Sequence, residues 1–429
     1  MSTMVTPVPW QPCVKSGWPA VQVKHMFETS LGKMLQPQPA TEDDVEVPYI
    51  KSLHVQWRGV SFEDLPTMWA SPMDIEQLGL RVGDLMVCEG GEVGRGALVL
   101  SDPPPLCIFQ NALHRVRARE LNDVRYLNYC LKQAAEAGWF DVLCNRATIA
   151  HFTVEKFREL RLHLPSGEAQ RLIANYLDRE TAHIDALIAE KERMLALLEE
   201  KRAALISRVV TRGLNPDAPL KPSGLEWLGE IPAHWRVERA KNLFTVRDER
   251  SDDGSEELLT VSHITGVTSR SEKDVYMFEA DDKAGYKRCM PGDLAINTLW
   301  AWMGAMGVSP LAGIVSPDYH VYTSKGELLP EYVDLLCRSR PFVAEVNRWS
   351  KGVWSSRLRL YPESFFEMRL PVPSHGEQRA IVDAIQSDQV KASQLRDALQ
   401  TSIGLAKERR AALITDAVTG QIAVGEMQS

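Results

Sequence analysis

Apolar positions recur mostly at steps of three, four or seven along two long stretches of the chain. In the first, Ile173, Leu177, Ile184, Leu187, Met194, Leu198, Leu205 and Val209 make one stripe; in the second, Ile381, Ile385, Leu395, Leu399, Ile403, Ala406, Leu413 and Ala417 do much the same. That spacing predicts two amphipathic helices. Each follows a proline-ended, strand-like run (RLHLP, RLPVP) and a serine; Ser374 with Glu377 makes a capping box, whereas Ser166 meets Ala169 and caps alone. Each helix would be about 44 residues and about 65 Å long. A lone rod of that length leaves its stripe in water, so the pattern predicts an antiparallel coiled coil.

The two stretches are also copies of one another. Glu159–Thr211 laid over Glu367–Thr419, with no gap, gives 18 identities in 53 positions, and Trp18, Lys24 and Phe27 echo Trp235, Lys241 and Phe244. A repeat of roughly 210 residues is too long for a solenoid, so two domain-plus-helix modules stand head to tail, with internal pseudo-twofold symmetry expected. The segments then fall as 1–165, a first globular domain; 166–212, a first long helix; 213–234, a connector rich in proline and glycine; 235–373, a second globular domain; 374–419, a second long helix; and 420–429, a tail. Short β-like runs at Asp84–Cys88, Ala97–Leu100, Asp293–Ile296 and Tyr319–Thr323, with helical stretches at Asn122–Ala137 and Pro330–Asn347, make each globular part α/β or α+β.

Composition narrows the function by exclusion. With 429 residues, 44% of them apolar, the chain can bury real cores, and seven cysteines without a CxxC pair suggest reduced thiols in a cytoplasmic protein. The apolar run Leu294–Val315 is broken by Asn297, Thr298, glycines and Pro310, so no membrane span is expected. No GxxxxGK[ST], HExxH or GxSxG motif occurs, and GGEVGRG at Gly90–Gly96 reads as a turn or bulge. A net charge of −8 argues against a nucleic-acid binder that is basic all over. Yet His114–Arg119 (HRVRAR) and Arg348–Arg359 (RWSKGVWSSRLR) are cationic runs without an acid, readable either as solvated faces or as DNA contacts.

The repeated segments LPSGEAQRLIANYLDRE and PSHGEQRAI, with EKRAALISRVVTRGLNP and KPSGLEWLGEIPAHW, resemble the conserved regions of the specificity subunit of type I restriction-modification systems. GDLMVCEGGEVGRGA (83–97) and GDLAINTLWAWMGAMGVSPLAGIVSPDYHVY (292–322) resemble parts of that family's target-recognition domains. The resemblance implies a non-catalytic chain whose two target domains each read one half of a bipartite, asymmetric site on double-stranded DNA. It implies spacer helices that set the gap and dock two modification subunits, which methylate adenine with S-adenosylmethionine. Restriction subunits using ATP and Mg2+ would add to that core, with no cofactor or metal on this chain.

Base reading needs side chains that reach base edges. The candidates are Arg115, Arg117, Asn145, Arg146 and Thr148 in the first domain and Lys351, Trp354, Ser355, Arg357 and Arg359 in the second, with Cys144–Ala150 and Ser350–Arg357 as equivalent loops. Gln170, Arg171 and Arg202, duplicated as Gln378, Arg379 and Arg410, are candidates for the subunit interface or for helix caps. Two other readings stay open. A fused enzyme would require tight S-adenosylmethionine binding by the isolated chain; a coiled-coil adaptor would require DNA binding by the partners to be indifferent to it.

Overall fold

The computed structural model describes residues 8, 10–11, 14, 17–143, 152–272, 282–352 and 358–428. The contacts divide the chain into two compact units: 1–191 with 401–429, and 192–400. The long helices span Gly167–Arg212 and His375–Val418, so each unit holds the first half of one helix and the last half of the other.

In the first unit, a four-stranded antiparallel sheet runs in the order Phe27–Leu31, Leu113–Ala118, Leu85–Cys88, Gly96–Leu98. Leu85–Cys88 is buried along its whole length because both faces are covered. Leu85 and Val87 face a core with Tyr126, Leu127, Phe157, Ile173, Leu177, Ile414 and Val418; Met86 and Cys88 face another with Ile50, Val55 and Phe109. That double burial is why the strand reads as a continuous apolar run. A smaller sheet contains the parallel pair Val45–Ile50 and Ile108–Phe109.

The second unit repeats the plan. Its sheet runs Phe244–Val246, Tyr319–Ser324, Leu294–Asn297, Met306–Val308, again all antiparallel. Leu294 and Ile296 join a core with Tyr332, Val209, Val210, Ile381 and Ile385, whereas Ala295 packs with Leu259, Val315 and Val321. In both units the helix after the sheet, Val124–Glu136 or Pro330–Arg338, shares a core with the sheet and the long helices. The helical stretch expected over Pro330–Asn347 is two helices, because Ser339 is extended before Arg340–Trp349 begins.

Each long helix is launched from a closing ladder, Arg161–His163 against Ala20–Gln22 or Arg369–Val372 against Arg236–Arg239. Ser166 Oγ accepts from the Ala169 amide at 3.3 Å, and Ser374 Oγ from the Glu377 amide at 3.3 Å. The Glu377 carboxylate also accepts from His234 Nε2 at 2.8 Å and Trp235 Nε1 at 3.2 Å. Arg410 pairs with Asp185 in the first unit and Arg396 with Glu199 in the second. No helix among the described residues is long and apolar enough to cross a membrane.

Candidate nucleic-acid interface

Six of the proposed DNA contacts, Asn145, Arg146, Thr148, Trp354, Ser355 and Arg357, lie outside the described residues. The flanks of their loops are described, and they occupy matching places. In the first unit the Phe152 amide donates to the Glu89 oxygen at 2.8 Å, just past the central strand Leu85–Cys88. In the second, the Leu360 amide donates to the Thr298 oxygen at 3.3 Å, just past Leu294–Asn297. Both chain segments therefore return at the same end of the same strand. Lys351 and Arg359 are joined across the second loop by two backbone hydrogen bonds of 2.9 Å, which close it at its base.

A residue pair that the repeat did not reveal sits beside these exits. His114 and His320 occupy equivalent positions on the neighbouring strand, as the registers Leu85 to Val116 and Leu294 to Tyr322 establish. His114 Nε2 lies 2.8 Å from the Phe152 oxygen, holding the loop exit from the other side. Burial pushes its pKa down, and Nδ1 has no partner among the described residues. His320 lines a cavity of about 100 Å3 with Thr298, Asp318, Arg359 and Tyr361, and its pKa is lowered by burial and by Lys287. Within the sheets the copies are displaced relative to the helical repeat, so an ungapped comparison misses this pair.

Arg115 and Arg117, expected to read bases, are both engaged within the fold. Arg115 is only 3% exposed; its guanidinium donates to the Gly79 oxygen at 2.9 Å and lies 5.6 Å from the Phe109 ring centre. Arg117 grips Asp84 through Nε at 2.6 Å and Nη2 at 2.9 Å, and Asp84 is 1% exposed. An arginine that neutralises a buried carboxylate is a structural part. Asp293, in the second GDL segment, is held likewise by Arg247 at 2.6 Å, although Arg247 follows a different strand of the sheet. Both aspartates also accept main-chain amides within their own turns, from Arg81 and Met290, and the preceding Gly83 and Gly292 adopt φ of 91° and 90°. The GDL motif is thus a turn with a buried charge pair.

Further cations lie elsewhere. In the second unit Lys351 and Arg359 are exposed, with Arg359 Nη1 4.0 Å from Asp318. Near Thr298, the turn Ala301–Met303 stacks Trp302 against Trp300, which is 48% exposed. In the first unit Trp57 donates to Glu92 at 2.8 Å, Glu92 pairs with Arg95 at 2.6 Å, and Lys132 Nζ lies 5.8 Å from the Trp57 ring centre. Burial, with Arg410 nearby, brings the Lys132 pKa down to about 8.

Gln170 and Gln378, candidates for the subunit interface or for helix caps, are both buried and their amides are spent inside their own units. Gln170 Oε1 accepts from the Asp123 amide at 3.0 Å while Nε2 donates to Asn122 Oδ1 and the Pro165 oxygen. Gln378 Oε1 accepts from the Leu329 amide at 2.7 Å while Nε2 donates to the Glu327 and Pro373 oxygens. Their duplication follows from one shared joint, which pins the start of a long helix to the start of a domain helix. Arg171 and Arg379 are exposed, Arg202 is half-buried, and Arg410 Nη2 donates to Asp185 at 3.1 Å. Among the described residues no group of three or more His, Cys, Asp or Glu could hold a metal ion.

Residues 80–195 match the family model of the type I restriction modification DNA specificity domain. Among solved structures, the fold is similar to a chain from work on complex assembly and conformational transition of the type I R-M system. That chain has 16% sequence identity and a TM-score of 0.70, with 95% of this chain and 99% of that one covered. It is also similar to the HsdS subunit from Thermoanaerobacter tengcongensis, at 15% identity and a TM-score of 0.53, covering 95% and 98%. No curated protein matches the chain.

Proposed function

We infer that this chain is the sequence-specific DNA-recognition subunit of a type I restriction-modification complex, with each target domain reading one half of a bipartite, asymmetric duplex site. The observation that carries this reading is one domain plan built twice, with the same sheet order and the same helix joint. In both copies a loop returns at the end of the central strand. The match over 80–195 to a DNA specificity domain supports it.

In this reading the target domains are 1–165 and 235–373, the spacer helices 166–212 and 374–419, the connector 213–234 and the tail 420–429. Asn145, Arg146 and Thr148 in one loop, and Lys351, Trp354, Ser355, Arg357 and Arg359 at the other, approach the DNA. Arg115 and Arg117 leave this set because they are committed to the fold. The helices set the gap between half-sites and seat two modification subunits. Exposed apolar residues suit that seating: Met194, Leu197, Val390 and Leu395 on the helices of the second unit, Leu187 and Leu405 on those of the first. Arg171 and Arg379, exposed on the first turns, join that surface.

The chain itself is non-catalytic in this account and acts in the cytoplasm. S-adenosylmethionine, ATP and Mg2+ belong to the modification and restriction subunits. Because partners contribute to the DNA channel, an acidic net charge is tolerable in a DNA-binding chain. Sequencing of methylated adenines in a host carrying the complete system, with and without this chain, tests the reading. Methylation at one bipartite motif that vanishes with the chain is expected; an unchanged pattern would overturn it.

A further inference from the structure

Beside the Trp300 and Trp302 stack, the second unit holds a cavity of about 380 Å3. Its walls include Trp302, Met303, Val343, His263, Arg338, Arg340 and Asn347, with no carboxylate among the residues that line it. Two features set it apart. Arg338 is fixed by Asp334 at 3.3 Å and packed over Gly266, where a Cβ would stand 1.8 Å from Nη2, yet its Nη1 is buried with no partner among the described residues. The side chains of His263, Arg340 and Asn347 are exposed and make no hydrogen bond or ion pair among the described residues. Their neighbour Arg348, by contrast, is bound to Glu345. A buried donor without an acceptor costs free energy until a ligand satisfies it. An aromatic wall with donors converging from one side suits a flat, acceptor-rich, anionic ligand.

We propose that this cavity receives one nucleotide of the bound duplex, unstacked from its neighbours, with the base against Trp302 and Met303. Asn347 and Arg338 meet the polar edge of the base, and Arg340 and His263 meet its phosphate. The proposal rests on the DNA-recognition reading and deepens it, because readout in this domain then includes a deformation of the DNA. Stacking on the indole offsets part of the unstacking cost, and a base freed from the helix exposes edges that the grooves hide. Trp302 is held in place by its own Nε1, which donates to the Leu299 oxygen at 3.0 Å.

The test uses the full chain assembled with its modification subunits and a duplex of the determined site. 2-Aminopurine is placed in turn at each position of the half-site read by residues 235–373. A fluorescent base held against an indole is quenched, so one position brightens several-fold when Trp302→Leu replaces the wild-type chain, and the rest are indifferent to Trp302. Any signal from the adenine extruded for methylation is the same in both proteins. Arg340→Ala and Asn347→Ala, at exposed positions, each weaken binding of that half-site by about tenfold and leave the other half-site's readout intact. Normal binding with no Trp302-dependent position, or with both alanine variants at wild-type affinity, overturns the proposal alone. Saturable quenching of tryptophan by free deoxyadenosine monophosphate, without any such position in duplex, also overturns it and points to a free nucleotide. If the wild-type assembly binds no specific duplex, the DNA-recognition reading itself fails.

Discussion

Tyr332 Oη donates to the main-chain oxygen of Val210 at 3.1 Å. Tyr126 does the same to Val418 at 3.2 Å and also reaches the His163 oxygen at 3.1 Å. Both tyrosines are fully buried, and both secure the last turn of the long helix that follows the other module. Where an α-helix ends, its last carbonyls need new donors. Tyr332→Phe should destabilise the second unit by about 0.5–1.5 kcal/mol. In a unit of this size that lowers the melting temperature by about 2–4 °C per kcal/mol. Calorimetry of the variant checks this; an unmoved transition would mean that the hydrogen bond contributes nothing.

Gln378→Ala separates a joint from an interface. Three hydrogen bonds vanish and the Leu329 amide loses its acceptor, so unfolding of the second unit should become easier by about 2–4 kcal/mol. Once folded, the variant should still bind its modification subunits. Unchanged stability with lost assembly would restore Gln378 to the partner surface.

The buried pair Arg117 and Asp84 makes a similar demand on the first unit. Arg117→Ala leaves the buried carboxylate with only the Arg81 amide at 3.0 Å and the Arg81 guanidinium at 3.9 Å, a change that costs up to about 3–5 kcal/mol in such settings. Chemical denaturation measures that loss. A fully stable Arg117→Ala chain with altered half-site preference would return Arg117 to base reading.

His114 gives the first unit an acid sensitivity. Burial holds its pKa below the ordinary value, so the unfolded chain takes up a proton that the folded chain refuses. Stability is then complete above about pH 6.5, the unfolded value, and is lost progressively as pH falls towards the depressed folded value. Protonation would also place a proton on Nδ1, which has no acceptor among the described residues. Denaturation at pH 7 and pH 5 should show the loss in the wild type and a smaller one in His114→Gln. Equal losses in both would assign the effect to other groups.

What could be read from the chain followed the range of the interactions. The helical stripe, the serine caps and the duplicated Gln–Arg pairs are local patterns, and they place both long helices. The HRVRAR strand misleads because alternation shows which residues share a face, not what covers it. Arg115 is answered by the carbonyl of Gly79 and Arg117 by Asp84, partners that only the sheet brings close. Gln170 and Gln378 were conspicuous in the sequence, yet their purpose depends on amides roughly fifty residues away. His114 and His320 became a pair only when strand register, not sequence offset, aligned the copies.

The central claim, that each domain reads its own half-site, is tested most directly by exchanging residues 235–373 for the equivalent domain of a relative with a different site. Methylated adenines are then sequenced across a host genome carrying the modification subunits. One half of the bipartite motif should change while the half assigned to residues 1–165 stays the same. Changes in both halves, or in neither, would contradict the account.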